Sequence, residues 1–293
     1  MEEEKQDVMR KIQSKFKTLS KGQKLIAEYI LKHYDKAAFM TAAKLGISVG
    51  VSESTVVRFA DELGFDGYPR LQKALQELIR NKLTTVQRLE LSNDFISEKN
   101  VLKGVLKGDM ENIRSTLEKI DDKTFTDVVN SIFKSKKIYI IGLRSSTALA
   151  EFLGFYLNLI LDNVKVVEYG ISDIFEQMIN LSLDDLVIGI GFPRYANRTI
   201  KALSFAKSRG AKIVAITDSN LSPLAENADY SLIAQSNMAS FVDSLVAPLS
   251  VINALIIAVG LREKQKISNT FKNLENIWEE YQVYSSRGKE ENT

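Results

Sequence analysis

Five short apolar runs in the second half of the chain constrain its fold more than any other feature. Lys137-Ile138-Tyr139-Ile140-Ile141-Gly142, Val164-Lys165-Val166-Val167, Leu186-Val187-Ile188-Gly189-Ile190-Gly191, Ala211-Lys212-Ile213-Val214-Ala215-Ile216 and Tyr230-Ser231-Leu232-Ile233 alternate with amphipathic stretches of helical spacing. Unbroken apolar runs suit strands buried on both faces. With helices between them they imply βαβ units and a parallel sheet covered on both sides. This α/β region is expected over residues 121–293.

The first half reads differently. From Phe16 to Asn81 apolar residues recur at helical spacing, no run alternates, and Ser20, Thr41 and Ser52 each stand where a helix N-cap belongs. Helices are expected near Lys21 to Tyr34, Thr41 to Val49, Glu53 to Glu62 and Tyr68 to Asn81, with another before Lys17. Gly64 in Leu63-Gly64-Phe65 closes the Glu53 helix by accepting a left-handed backbone. An all-α domain over 1–82 therefore precedes a polar linker with helical content over 83–120, with a break at Ser92-Asn93-Asp94. The tail, Ile267 to Tyr284, is helical again and holds the only tryptophan, Trp278.

A length of 293 residues suits two domains, and 45% hydrophobic with 26% charged residues is ordinary for a globular chain. No cysteine is present, which excludes disulfides and thiolate metal or redox chemistry. No secretion signal opens the chain, so a reducing cytoplasm is the expected location. Leu245 to Leu261, the longest apolar stretch, is interrupted by Pro248, Ser250 and Asn253. It falls short of the roughly 20 residues of a membrane span and reads as a buried helix.

The net charge of +2 conceals an asymmetry. Residues 10–92 hold 15 Lys and Arg against 8 Asp and Glu, whereas residues 93–293 come out at −2. A local basic surplus on a small helical domain is the electrostatic footprint of a phosphate-backbone binder.

Within that domain, Thr41 to Phe59 has the layout of a helix-turn-helix: a short helix, Gly50 at the turn, then a second helix capped by Ser52. Val51, Val56 and Phe59 face inward. Ser52, Ser54, Thr55 and Arg58 remain at the end of the recognition helix that reaches bases and phosphates in the major groove. Arginine pairs bidentately with guanine or holds a phosphate. Lys21, Lys44, Tyr68, Arg70 and Lys73 complete the candidate contacts to a double-stranded DNA operator.

In an open parallel sheet, ligands sit outside the carboxyl ends of strands, where neighbouring connections diverge. The first such loop is Gly142-Leu143-Arg144-Ser145-Ser146-Thr147. The third is Gly191-Phe192-Pro193-Arg194-Tyr195-Ala196-Asn197-Arg198-Thr199. Each enters a helix, whose free N–H groups hold anions well. Arg144, Ser145, Ser146, Arg194, Tyr195, Asn197 and Thr199 are the candidate effector contacts, and Arg194 with Arg198 could clamp an anion. Against this stands the plainer reading, in which Ser145 and Ser146 cap a helix and the arginines lie in solvent. Thr217-Asp218-Ser219, after the fourth strand, reads as a structural turn.

The segments Leu19-Ser20, Leu25 to Leu31, Gly50 to Phe59 and Leu63-Gly64-Phe65-Asp66-Gly67-Tyr68 resemble the N-terminal domain of RpiR-type (MurR/RpiR) transcriptional regulators. Ser-x-Ser-Thr-Val-x-Arg-Phe followed by Leu-Gly-Phe-x-Gly-Tyr carries that resemblance. One departure is Gly46, where the family commonly has alanine; glycine inside a helix is expected to loosen it by up to about 1 kcal/mol. The second half, through Ala215 to Ser219, Ser222-Pro223-Leu224-Ala225 and Ala228-Asp229, resembles a SIS (sugar isomerase) domain. The resemblance implies a three-layer domain with a five-stranded parallel sheet, pairing into a homodimer or homotetramer through SIS domains, and usually a phosphosugar effector. Two loops depart from the usual SIS forms: Gly142-Leu143-Arg144-Ser145-Ser146 replaces Gly-x-Gly-x-Ser, and Gly191 to Thr199 replaces Ser-x-Ser-Gly-x-Thr. The expected effector is thus a small anionic metabolite, either a sugar phosphate or a sugar acid.

An isomerase needs a positioned general base, usually with a second acid or base. The single histidine, His33, lies in the DNA-binding half; Glu151 and Glu168 remain as conceivable bases, but such carboxylates are usually just solvated or paired. The chain therefore reads as a regulator, a repressor by preference, without catalytic residues, cofactor, metal or membrane partner. A SIS-fold sugar-phosphate isomerase is the alternative.

Overall fold

The computed structural model describes residues 2–79, 86, 88, 100–238 and 241–284. The expected break at Ser92-Asn93-Asp94 and the helix end at Asn81 lie outside these. The chain forms two compact units: Met1–Gly108 with Pro193–Tyr195 and Asn237–Ser244, and the remaining residues.

Among the described residues the first unit opens with helices α1 (Glu2–Lys15), α2 (Lys21–Ala37), α3 (Ala42–Val49), α4 (Glu53–Glu62) and α5 (Gly67–Ile79). All three expected caps form. Ser20 Oγ accepts from Gln23 N while the Gln23 side chain accepts from Ser20 N, a reciprocal capping box. Thr41 and Ser52 accept from the N–H groups of Lys44 and Thr55. Gly50 and Gly64 take left-handed φ of 76° and 84°, ending α3 and α4. Ile26, Ile30, Leu45, Val56, Phe59, Leu71 and Leu75 are fully buried in one core.

The second unit is built on a five-stranded, all-parallel sheet of order β2-β1-β3-β4-β5, with β1 (Ile138–Gly142), β2 (Val164–Val167), β3 (Leu186–Ile190), β4 (Lys212–Thr217) and β5 (Tyr230–Ile233). Helices α6 (Val101–Lys119) and α7 (Asp122–Lys134) precede it. Then α8 (Thr147–Ile160) follows β1, the short α9 (Ile174–Gln177) follows β2, α10 (Asn197–Ser208) follows β3, and α11 (Val246–Arg262) and α12 (Lys264–Glu280) close the chain. The central strands β1 and β3 are buried throughout, as helices on both faces require. Side chains from α7, α8 and α11 share one core cluster with the sheet, and Leu203 of α10 packs on Gly189 of β3. At Gly154 and Gly189 a Cβ would fall 2.1 Å from Val166 Cγ2 and 2.7 Å from the Leu203 methyls, so both glycines permit close helix–strand packing. The apolar stretch from Leu245 lies in α11, which buries Pro248, Val251, Ile252, Leu255 and Val259 and exposes Ile257 and Leu261. Among the described residues no single helix is long and apolar enough to cross a membrane.

Candidate DNA-binding and effector sites

The turn between α3 and α4 is built from backbone contacts. Val51 N donates to Gly46 O at 2.8 Å. A Cβ on Gly46 would stand 2.8 Å from the Val51 carbonyl oxygen, closer than real Cβ contacts come. Beside its expected propensity cost in α3, Gly46 is the residue that lets α4 approach.

At the start of α4 three hydroxyls converge. Ser52 Oγ lies 2.9 Å from Ser54 Oγ and 2.8 Å from Thr55 Oγ1. Val56 and Phe59 face the core, while Ser52, Ser54 and Arg58 are exposed. Arg58 Nε donates to Ser54 O at 3.3 Å, which folds the guanidinium back along the helix toward its N-terminus. Thr55 is half-buried, and a Cβ on Gly22 would lie 3.4 Å from its Cγ2, so the first turn of α2, with exposed Lys21, abuts that of α4. Lys44 on α3 and Arg70 on α5 are exposed, and Lys73 is half-buried.

Tyr68 does not belong with these residues. Only 3% of it is exposed, and its hydroxyl donates to Met40 O at 2.7 Å. Burial pushes its pKa above the ordinary phenol value. Gln72 and Gln76 donate to Met40 O and Ala38 O, so α5 satisfies carbonyls left open where α2 ends. Tyr68 is therefore a structural tie, and its place beside a basic motif misdirected the sequence reading.

In the sheet, connections diverge between β1 and β3: from β1 the chain passes to β2, and from β3 to β4 on the opposite side. Carboxyl ends of these adjacent strands carry the two candidate loops. Arg144 to Ser146 form a single 3-10 turn before α8, and a Cβ on Gly142 would meet Ser146 O at 2.7 Å. Ser146 is buried at the N-cap of α8, yet its side chain makes no capping bond, and Ser145 is exposed. The helix-capping role weighed for these serines is therefore not seen.

Arg144 and Arg194 have φ of 61° and 66°, and with Gln282 they are the non-glycine residues of positive φ among those described. Each stands where the usual SIS loop has glycine, which was the available signal for a left-handed backbone. Both are exposed, Tyr195 is half-buried and Asn197 exposed in the first turn of α10. Thr199, in that same turn, is 1% exposed, and its hydroxyl has no hydrogen-bond partner. Arg198 is engaged elsewhere: Nη2 lies 2.8 Å from Asp173 Oδ2, which removes it from the anion clamp expected with Arg194. After β4, Ser219 Oγ accepts from Leu221 N and Gln235 Nε2 donates to Asp218 O, so this loop is a structural turn. Glu151 and Glu168 are exposed, and the His33 ring lies against Tyr29 in α2.

A hydroxyl-capped helix-turn-helix with a parallel sheet of this order defines a class, the DNA-binding transcriptional regulators that carry a SIS domain. Residues 6–82 match the helix-turn-helix domain of the rpiR family, and residues 131–258 match the SIS domain. The chain belongs to the RpiR family of transcriptional regulators. It is 30% identical over 233 residues to an HTH-type transcriptional regulator of Haemophilus influenzae, covering 78% of this chain and 79% of that one. It is 26% identical over 285 residues to the HTH-type transcriptional regulator HexR of Escherichia coli, covering 94% and 95%. Among solved structures, the sugar isomerase domain of an RpiR transcription factor from Sphaerobacter thermophilus is 29% identical with a TM-score of 0.58, over 60% of this chain and 99% of that one. Vibrio vulnificus NanR, complexed with ManNAc-6P, is 20% identical with a TM-score of 0.53, over 92% and 98%.

Proposed function

We propose that this regulator is a repressor whose operator affinity is set by a small anionic metabolite, a sugar phosphate or sugar acid, bound at the carboxyl edge of the sheet. The observation that carries the reading is Thr199. A buried hydroxyl without a partner costs roughly 1–3 kcal/mol, and a bound acceptor repays it. Thr199 lies in the first turn of a helix, where free N–H groups favour an anion. Arg144, Ser145, Ser146, Arg194, Tyr195 and Asn197 supply the remaining donors. ManNAc-6P, held by the Vibrio vulnificus protein, is a ligand of this chemical kind.

The DNA-reading surface consists of Lys21, Lys44, Ser52, Ser54, Thr55, Arg58, Arg70 and Lys73. SIS domains pair two or four copies so that recognition helices meet successive half-sites. The effector acts through its differential affinity for the arrangements that fit and do not fit the operator. No catalytic role is assigned to Glu151 or Glu168, both exposed, or to the single histidine, whose ring lies tilted against Tyr29 in α2. On this reading the chain acts as a cytoplasmic sensor rather than an isomerase, which its likeness to named transcriptional regulators supports.

The experiment is a thermal-shift panel of sugar phosphates and sugar acids on the full chain, followed by operator gel shifts with each hit. A ligand at 100 times its Kd raises stability by about 2.7 kcal/mol and is expected to release DNA. Ligands that stabilise the chain and strengthen operator binding would make it an activator. Turnover of any sugar phosphate would make it an enzyme.

A further inference from the structure

Helix α12 carries an apolar stripe that its own chain covers only in part. Ile267, Phe271, Leu274, Trp278 and Tyr281 recur at spacings of three and four, so they share one face of the helix. No residue of α12 is buried. Ile267, Leu274 and Trp278 are half-buried, while Phe271 and Tyr281 remain 39% and 70% exposed. At the start of the stripe an apolar pocket of about 350 Å³ opens between α8, α11 and α12, lined by Tyr156, Ile257, Leu261, Lys264, Ile267 and Phe271. Of these, Ile257 and Leu261 are themselves 60% and 69% exposed.

We propose that this stripe is a self-association surface, on which α12 of a second copy packs antiparallel about a two-fold axis between Lys272 and Asn273. Charge selects this occupant and its direction. Every basic residue of the helix, Lys264, Lys266 and Lys272, precedes Leu274, and every acidic one, Glu275, Glu279 and Glu280, follows it. Flanking charges cancel: Arg262 with Glu263 before the helix, and Arg287 and Lys289 with Glu290 and Glu291 after it. Within one helix this order is unfavourable, because the macrodipole prefers acidic residues at the N-terminus and basic ones at the C-terminus. Glu275 and Glu279 also repel at a spacing of four. An antiparallel partner relieves both defects by setting the lysine end of each helix beside the glutamate end of the other, whereas a parallel one sets like charges together. Lys266 also pairs with Asp162 of its own chain, at 2.6 Å, and its ammonium keeps further donors for a second carboxylate.

The same axis brings knob to hole. It sets Ile267 opposite the partner's Trp278, Phe271 opposite the partner's Leu274 and Lys264 opposite the partner's Tyr281. The pocket beside Lys264 and Ile267 thereby receives the partner's Tyr281 and the reverse holds for the other copy, as an isologous interface requires. Residues Lys264–Glu280 lie beyond the SIS match, which ends at 258. The inference rests on the proposed pairing of chains, and it names a surface that pairing through the matched SIS residues does not require.

The chain has no cysteine, so introduced thiols report contacts between copies. In the full-length protein, chains carrying Ile267→Cys mixed with chains carrying Trp278→Cys are expected to form a disulfide under mild oxidation, because the axis sets these positions opposite each other. Neither variant alone is expected to cross-link, since the helical rise between the two positions leaves like residues about 16 Å apart. Cross-linking of either variant alone would mean parallel helices and overturn the proposal, as would failure of the mixture. Charge variants supply a second test without thiols. Glu275→Lys with Glu279→Lys and Glu280→Lys makes the helix basic throughout, and Lys264→Glu with Lys272→Glu makes it acidic. Each is expected to raise the dissociation constant of the wild-type assembly at least tenfold in sedimentation, and mixing the two is expected to restore association, which misfolded chains cannot do. Loss of assembly in both without restoration on mixing would overturn the charge pairing. A wild-type oligomer whose mass neither variant changes would overturn the α12 surface while leaving the pairing of chains intact. A wild-type monomer that still releases its operator on effector binding would refute self-association and leave the sensor reading intact.

Discussion

Gly46 and Val51 meet across the turn of the DNA-binding motif at backbone contact distance. The Val51 N–H donates to the Gly46 carbonyl at 2.8 Å, and a Cβ on Gly46 would fall 2.8 Å from the Val51 carbonyl. Helix propensity alone favours alanine at this position by about 1 kcal/mol. The collision is with backbone, so relief requires α3 and α4 to move apart. Gly46→Ala is therefore expected to lower stability by about 1–2 kcal/mol and to weaken operator binding by displacing the recognition helix. Denaturant unfolding together with gel shifts checks this, and a stabilised variant would mean the turn absorbs a methyl group.

Arg58 lies exposed on α4, its Nε returned to the Ser54 carbonyl. If the guanidinium reads a base, Arg58→Ala costs about 1–3 kcal/mol of operator affinity and relaxes preference at one position. If it holds a phosphate, the loss is uniform across sequences and the salt dependence falls by about one unit. Competition gel shifts on an operator mutant series separate these outcomes.

Tyr68→Phe should leave DNA affinity unchanged but cost about 1 kcal/mol of stability through the lost bond to Met40 O. The pH sign follows from burial. The folded-state phenol pKa is raised above its unfolded value near 10, so the folded state favours the neutral form. That stability is complete below pH 10 and is lost as pH rises toward the folded pKa. Chemical denaturation between about pH 9 and 11 should show a steeper alkaline decline in wild type than in Tyr68→Phe.

These residues divide what sequence reveals from what only packing reveals. Ser20, Thr41 and Ser52 act on N–H groups three residues away, so their capping roles are local and readable. The strands are readable for the same reason, since burial on both faces leaves a continuous apolar run. Tyr68 turns inward because carbonyls 28 and 31 residues earlier need donors, a condition set by how α5 packs on α2. Helical spacing is visible in α6, but that its polar side faces the core depends on the Thr116 contact with Gln235, 119 residues away. Arg198 joins the clamp in sequence and leaves it in space because Asp173, after β2, reaches it first.

Arg144 and Arg194 hold left-handed backbones at positions where related loops carry glycine. Such conformations cost roughly 1–2 kcal/mol for a residue with a Cβ. Against this, glycine costs backbone entropy, so Arg144→Gly and Arg194→Gly are each expected to raise stability by only about 0.5–1 kcal/mol. Both should lose the thermal shift produced by an anionic effector. Strain retained at two loops on one edge of the sheet is otherwise without benefit. Calorimetry with and without ligand tests this, and a variant that gains stability while keeping full effector response would separate the strain from binding.

Thr199→Val tests the proposed effector site most cleanly. The substitution keeps the shape of a side chain that is 1% exposed and removes a hydroxyl with no partner. For most buried threonines valine is destabilising, because a hydrogen bond is lost. Here the unligated protein should be unchanged or more stable by about 1 kcal/mol, since an unsatisfied polar group is removed. Effector affinity should fall at least tenfold, which corresponds to about 1.4 kcal/mol for one lost hydrogen bond to an anion. Operator affinity without effector should not change, because Thr199 lies outside the DNA-reading set. Thermal unfolding, ligand titration and gel shifts on the same variant give all three readouts. A Thr199→Val protein that unfolds early would mean that its hydroxyl has a structural partner. One that is stable and responds normally to effector would move the binding site away from the first turn of α10.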